Sequence, residues 1–194
     1  MNDMMRPKLL IFLSILSLLS ACDKVGSRKD MDEIEKMEQL ADQNREDVIN
    51  HRSNPDIDLL NRLGEAYIDF ADQYKEAPEA PEMLFRAGEL YSNELQDMEM
   101  ALKIFKRNYS EYPGHETAAN ALFFTGYLYN NSLKDFVNAE KYYKEFIEKY
   151  PDHNMARHAE FELNSLGMTD EQVFEQMLNQ GEKPDSINPE KILP

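Results

Sequence analysis

Tryptophan is absent from the 194 residues, and cysteine occurs once, at Cys22. One thiol excludes a disulfide framework and any zinc or iron–sulfur site built from several cysteines. The missing Trp removes the ring platform that glycan sites favour. Positive charge is scarce too: 21 Lys and Arg stand against 37 Asp and Glu, a net of −16. That balance repels phosphate backbones and anionic headgroups, so no nucleic-acid partner is expected. What is present suffices for a core, since 42% of residues are hydrophobic and Tyr and Phe number ten each. The chain is not a disordered acidic tail, and its length suits one compact domain or one short array.

The N-terminus reads as an address. Arg6 and Lys8 precede Leu9–Leu19, an almost purely apolar run too short to span a bilayer, which takes ~20 residues. A basic start, a short apolar run and small residues at its end describe a cleavable signal peptide, here residues 1–21. Leu19-Ser20-Ala21-Cys22 resembles the lipobox of bacterial lipoproteins. That resemblance implies lipidation of Cys22, which makes it a membrane tether rather than a catalytic thiol. It also implies residence in the bacterial cell envelope. Asp23 after the cysteine marks inner-membrane retention under the enterobacterial sorting rule, which does not hold in every lineage, and the outer membrane facing the periplasm is the expected location. Asp23–Asp30 is short, polar and glycine-containing, so residues 22–30 read as the lipidated Cys and a linker.

The body repeats. Shifting the sequence by 38 residues lays 75–112 on 113–150 with thirteen identities, among them Leu84/Leu122, Phe85/Phe123, Gly88/Gly126, Tyr91/Tyr129, Ala101/Ala139 and Tyr112/Tyr150. Within each copy the apolar spacing is helical: Leu84, Ala87, Leu90 and Tyr91 form one stripe, and Ala101, Phe105 and Tyr109 a second. Asp97 and Asp135 stand where an N-cap is wanted. Gly88 and Ala101 are small where two antiparallel helices must cross. Helices are also expected over 31–50, 57–74, 154–166 and 169–178. Thr169 and Gln172 are spaced as a capping box. Residues 31–180 form the repeat domain, and 181–194, with three prolines, the tail.

With Gly, Tyr three later, a small Ala opening the second helix, an aromatic four on and Pro twelve after that Ala, both central copies resemble the tetratricopeptide repeat. They are longer than its pattern by one residue between the helices and three after the Pro. The Tyr-Pro-x-His junctions at 112–115 and 150–153 are similar to those of envelope lipoproteins of the barrel-assembly (BamD-like) and division-linked (CpoB-like) types. The resemblance implies an all-α fold, a right-handed solenoid of about eight helices in four hairpins. It implies a concave face lined by the first helix of each hairpin and used to bind a protein. The inward positions are then Glu82, Phe85, Glu89, Ser92 and Asn93; Asn120, Phe123, Tyr127, Asn130 and Asn131; and His158, Phe161 and Ser165. Phe85, Phe123 and Phe161 share one repeat position, which fits inter-helix packing as well as contact. None of these positions is Lys or Arg, so a neutral or basic partner segment is favoured.

No enzyme signature accompanies this pattern: no phosphate-binding glycine loop, metalloprotease motif or nucleophile elbow. No cofactor and no metal is expected. His158 and Glu162, one turn apart, could share a metal, but without a third ligand they read as an ion pair. The functional expectation is a lipid-anchored envelope adaptor, with outer-membrane protein assembly as a setting. The alternative is a periplasmic or surface scaffold for cell-wall or glycan material.

Overall fold

The computed structural model describes residues 6–179. The tail over 181–194 lies outside the described residues, as does the side chain of Cys22. Among the described residues eight α-helices run in chain order: α1 Arg6–Ile49, α2 Ile57–Gln73, α3 Ala80–Asn93, α4 Met98–Glu111, α5 Glu116–Tyr127, α6 Phe136–Lys149, α7 Ala156–Asn164 and α8 Asp170–Asn179. A π-helical turn, Leu128–Ser132, extends α5. No strand occurs among the described residues, and the class is all-α, built of helical hairpins. The chain divides into two compact units at 118/119, within α5.

In the first unit α1 packs on α2, α2 on α3, and α3 on α4. Each later helix starts for a local reason. Asp56 accepts the Leu59 amide at 2.9 Å, and Asp97 accepts that of Met100 at 3.0 Å. These side chains satisfy amides that a helix start leaves unpaired. α2 and α4 stop at Tyr74 and Tyr112, whose amides return to Phe70 O and Asn108 O. The α3–α4 crossing is close because Gly88 has no side chain. A Cβ there would stand 2.5 Å from the Phe105 ring, while Phe105 itself packs on Phe85 at 5.6 Å between centroids. One buried polar knot interrupts the apolar frame. Asn108 donates to the Pro81 carbonyl at 2.5 Å and accepts from the Thr117 hydroxyl at 3.0 Å. The repeat places phenylalanine, Phe70 and Phe146, at the other two copies of this position.

Residues 23–30, expected as a linker, are helical. α1 passes through them without a break, and Asp30 accepts the Tyr74 hydroxyl at 2.7 Å. The stretch holds one glycine and no proline, so nothing in its backbone interrupts a helix. Tyr74 then fastens it to the end of α2.

In the second unit the same devices recur 38 residues on. Asp135 accepts the Asn138 amide at 3.1 Å, Tyr150 closes α6 on Phe146 O, and α6 packs on α7. Phe123 lies between Tyr143 and Phe146, with both centroids 5.7 Å away. Gly126 admits the Tyr143 ring at 3.0 Å. Thr169 and Gln172 form the expected capping box at α8, with bonds of 2.9 and 3.3 Å.

The extra residue between paired helices has a structural home. Leu95 N bonds Leu90 O and Leu133 N bonds Leu128 O, five residues back rather than four. Each widened turn ends on a left-handed residue, Gln96 or Lys134, both at φ 54°, before the capping Asp. Neither is glycine, so each carries the steric cost of that conformation.

Three substitutions test this frame by thermal melting. Gly88→Ala is expected to lose about 1–3 kcal/mol, several degrees in Tm, because its methyl meets a ring. Gly114→Ala, where a Cβ meets nothing within 4 Å, is expected to stay within about 0.5 kcal/mol of the parent. Lys134→Gly is expected to raise stability by about 1 kcal/mol by relieving its left-handed strain.

Candidate functional site

The positions expected to face a partner fall into distinct classes. Phe85 and Phe123 are 7% and 2% exposed, seated against α4 and α6 aromatics. They are core and offer no surface to a partner. The physical reason is that they fill the hairpin crossing beside Gly88 and Gly126. Asn93 and Asn131 are exposed, while Asn120, Phe161, Ser165 and His158 are half-buried. Ser92 is buried, donating to Glu89 O at 3.0 Å.

In the first unit, a charged ladder joins three helices. Arg86 on α3 reaches Glu38 on α1 at 2.7 Å and Glu82 one turn back at 3.1 Å. Tyr67 on α2 donates to the same Glu38 oxygen at 2.6 Å. Burial, then Glu38, holds the Tyr67 hydroxyl above its ordinary range. Burial pulls the Arg86 guanidinium down, but Glu82 and Glu38 outweigh it and the group stays charged. Farther along, Arg45 takes Glu94 through two bonds of 2.7 and 2.9 Å. Glu82 is therefore already paired within its own unit. Glu89 is not: it forms no ion pair among the described residues. Burial, then repulsion from Glu82, pushes its carboxyl above the usual carboxylate range, against a smaller pull from Arg86.

In the second unit, the π-helical turn sets Asn130 so that its amide donates to Glu162 Oε2 on α7 at 2.8 Å. The Tyr143 hydroxyl on α6 approaches the same oxygen at 3.5 Å. Burial raises the Glu162 carboxyl, and the Asn130 and Tyr143 bonds offset part of that rise. Tyr127 is half-buried, its hydroxyl raised by burial and then by the Glu162 charge. The geometry overturns the expected His158–Glu162 pair, because Glu162 turns toward Asn130 and Tyr143. Sequence reasoning gave Glu162 no part in partner binding and passed over Arg86, Tyr67 and Tyr143. Their signal was present: 67 and 143, like 86 and 162, lie 76 residues apart, two repeat periods.

The histidines at the two junctions have a structural task. His115 Nδ1 accepts the Thr117 amide and His153 Nδ1 the Met155 amide, each at 3.3 Å, at the approach to the next helix. Among the described residues no group of three His, Cys, Asp or Glu side chains could hold a metal ion.

Glu89 gives a pH test. Its raised folded pKa means that the protonated form stabilises the fold, fully below about pH 4.3, and that this contribution is lost as pH rises. Glu89→Gln is therefore expected to melt a few degrees higher than the parent near neutral pH. The two melting curves should converge in acid, below the ordinary glutamate value.

Comparison with protein-family models matches the tetratricopeptide repeat at residues 82–115 and again at 120–153. No curated protein matches the chain. The matched segments start 38 residues apart, and each takes in one hairpin, α3–α4 or α5–α6. The Gly-on-aromatic crossing described above sits inside both, so the two central hairpins each resemble the tetratricopeptide repeat in sequence and in packing.

Proposed function

We propose that this chain is a lipid-anchored adaptor of the bacterial cell envelope, tethered through Cys22 and holding a protein partner on the first helices of its hairpins. Tandem tetratricopeptide repeats point to a protein-interaction scaffold, and that is the observation that carries the reading. In the first unit each helix packs on the next, and a surface along such paired helices suits a segment of another protein. The exposed amides Asn93 and Asn131 can pair with partner backbone, and half-buried Tyr127 supplies aromatic area. The unpaired carboxylates Glu89 and Glu162 favour a neutral or basic segment. The reading assigns the protein no catalytic step.

The anchor rests on Leu19-Ser20-Ala21-Cys22 behind a basic start and an apolar run. Two or more acyl chains make such a tether stable where one is marginal. Among the described residues no helix is long and apolar enough to cross a membrane. The setting we assign is the outer membrane, facing the periplasm, with outer-membrane protein assembly as the process.

Photo-crosslinking in the native envelope tests this. A crosslinking residue at Asn93 or Asn131 is expected to trap a discrete protein, whereas one at Lys144, exposed on α6, traps none. Cys22→Ser is expected to lose labelled fatty acid and leave the membrane fraction. Equal trapping from all three positions would remove the first-helix assignment, and a Cys22→Ser protein still lipidated would remove the anchor.

A further inference from the structure

Several half-buried glutamates elsewhere in the structure carry their own cations, Glu89 excepted. Glu38 and Glu82 have Arg86, Glu94 has Arg45, and in the second unit Glu145 has Lys149 at 2.7 Å. Glu162 differs. Its two donors, the Asn130 amide and the Tyr143 hydroxyl, are neutral, and no described Lys, Arg or His forms an ion pair with it. Neutral donors orient a carboxylate without cancelling its charge. Both approach Oε2, and Oε1 is not among the buried atoms left without a partner. Two donors thus hold Oε2, and no described donor bonds Oε1.

The repeat register sharpens the contrast. Tyr67 and Tyr143 occupy one repeat position, and Arg86 and Glu162 another. In the first unit the tyrosine meets an internally neutralised Glu38–Arg86 pair. In the second unit the tyrosine is retained while the charge is reversed, and no internal counter-ion accompanies it. A partly desolvated carboxylate gains more from an incoming cation than an exposed one does, since the surrounding dielectric screens less.

We propose that Glu162, oriented by Asn130 and Tyr143, is a receptor for a single lysine or arginine side chain of a partner protein. This deepens the adaptor reading and rests on it.

The test uses the full ¹⁵N-labelled chain titrated with the peptide acetyl-Ala-Ala-Lys-Ala-Ala-amide and with its norleucine counterpart. The Asn130 side-chain amide signals are expected to shift saturably with the lysine peptide and to stay still with norleucine. Glu162→Gln is expected to weaken binding about tenfold, the usual scale for removing one partner of a charged contact. Glu148→Gln, which removes the same charge from the exposed side of α6, should change it less than about twofold. Asn130→Ala keeps the carboxylate but frees its orientation, and a severalfold loss is expected there even if Glu162→Gln fails to fold. Shifts spread evenly over the acidic surface, or equal weakening by Glu162→Gln and Glu148→Gln, would overturn the receptor. Protein trapping at Asn131 that Glu162→Gln leaves undiminished also overturns it while the adaptor stands. Lysine-peptide binding at Glu162 with no protein trapped supports the receptor and removes the adaptor reading.

Discussion

An aromatic ring on a glycine sets the geometry of both central hairpins. Phe105 lies where a Cβ on Gly88 would stand, and Tyr143 approaches Gly126 in the same way. Close crossing lets the second helix bury its apolar stripe against the first, and the remaining features depend on that approach. It fixes which face of each first helix is spent on packing, and so which residues are left over. It also explains why Phe85 and Phe123 are core: they fill the space beside the crossing.

Once the frame is repeated, the positions where the copies disagree are informative. Asn108 stands where the flanking copies have phenylalanine, and it holds a carbonyl and a hydroxyl in the interior. Arg86 and Glu162 share a repeat position with opposite charges, over tyrosines that themselves correspond. Packing accounts for the residues that stay the same. It does not account for a charge that changes sign and loses its counter-ion, which is where recognition is most economically built.

Much of the fold was legible in the residues. The 38-residue period, the caps at Asp97 and Asp135 and the capping box at Thr169 depend on near neighbours along the chain, so spacing alone reveals them. The candidate site was less so. Glu162 meets Asn130 across 32 residues and Tyr143 across 19, and only a fold brings these together. In residues 23–30 the absence of proline lets the helix run on, whereas the Tyr74–Asp30 bond joins residues 44 apart and no spacing reveals it.

The sequence by itself determined the hairpin and its repetition, because helix periodicity, capping and the pairing of a glycine with an aromatic are local or strictly periodic. Tertiary structure alone decided which polar residues end up charged, half-buried and without a counter-ion. That outcome follows from distance and burial between helices far apart in the chain, and no spacing rule encodes it.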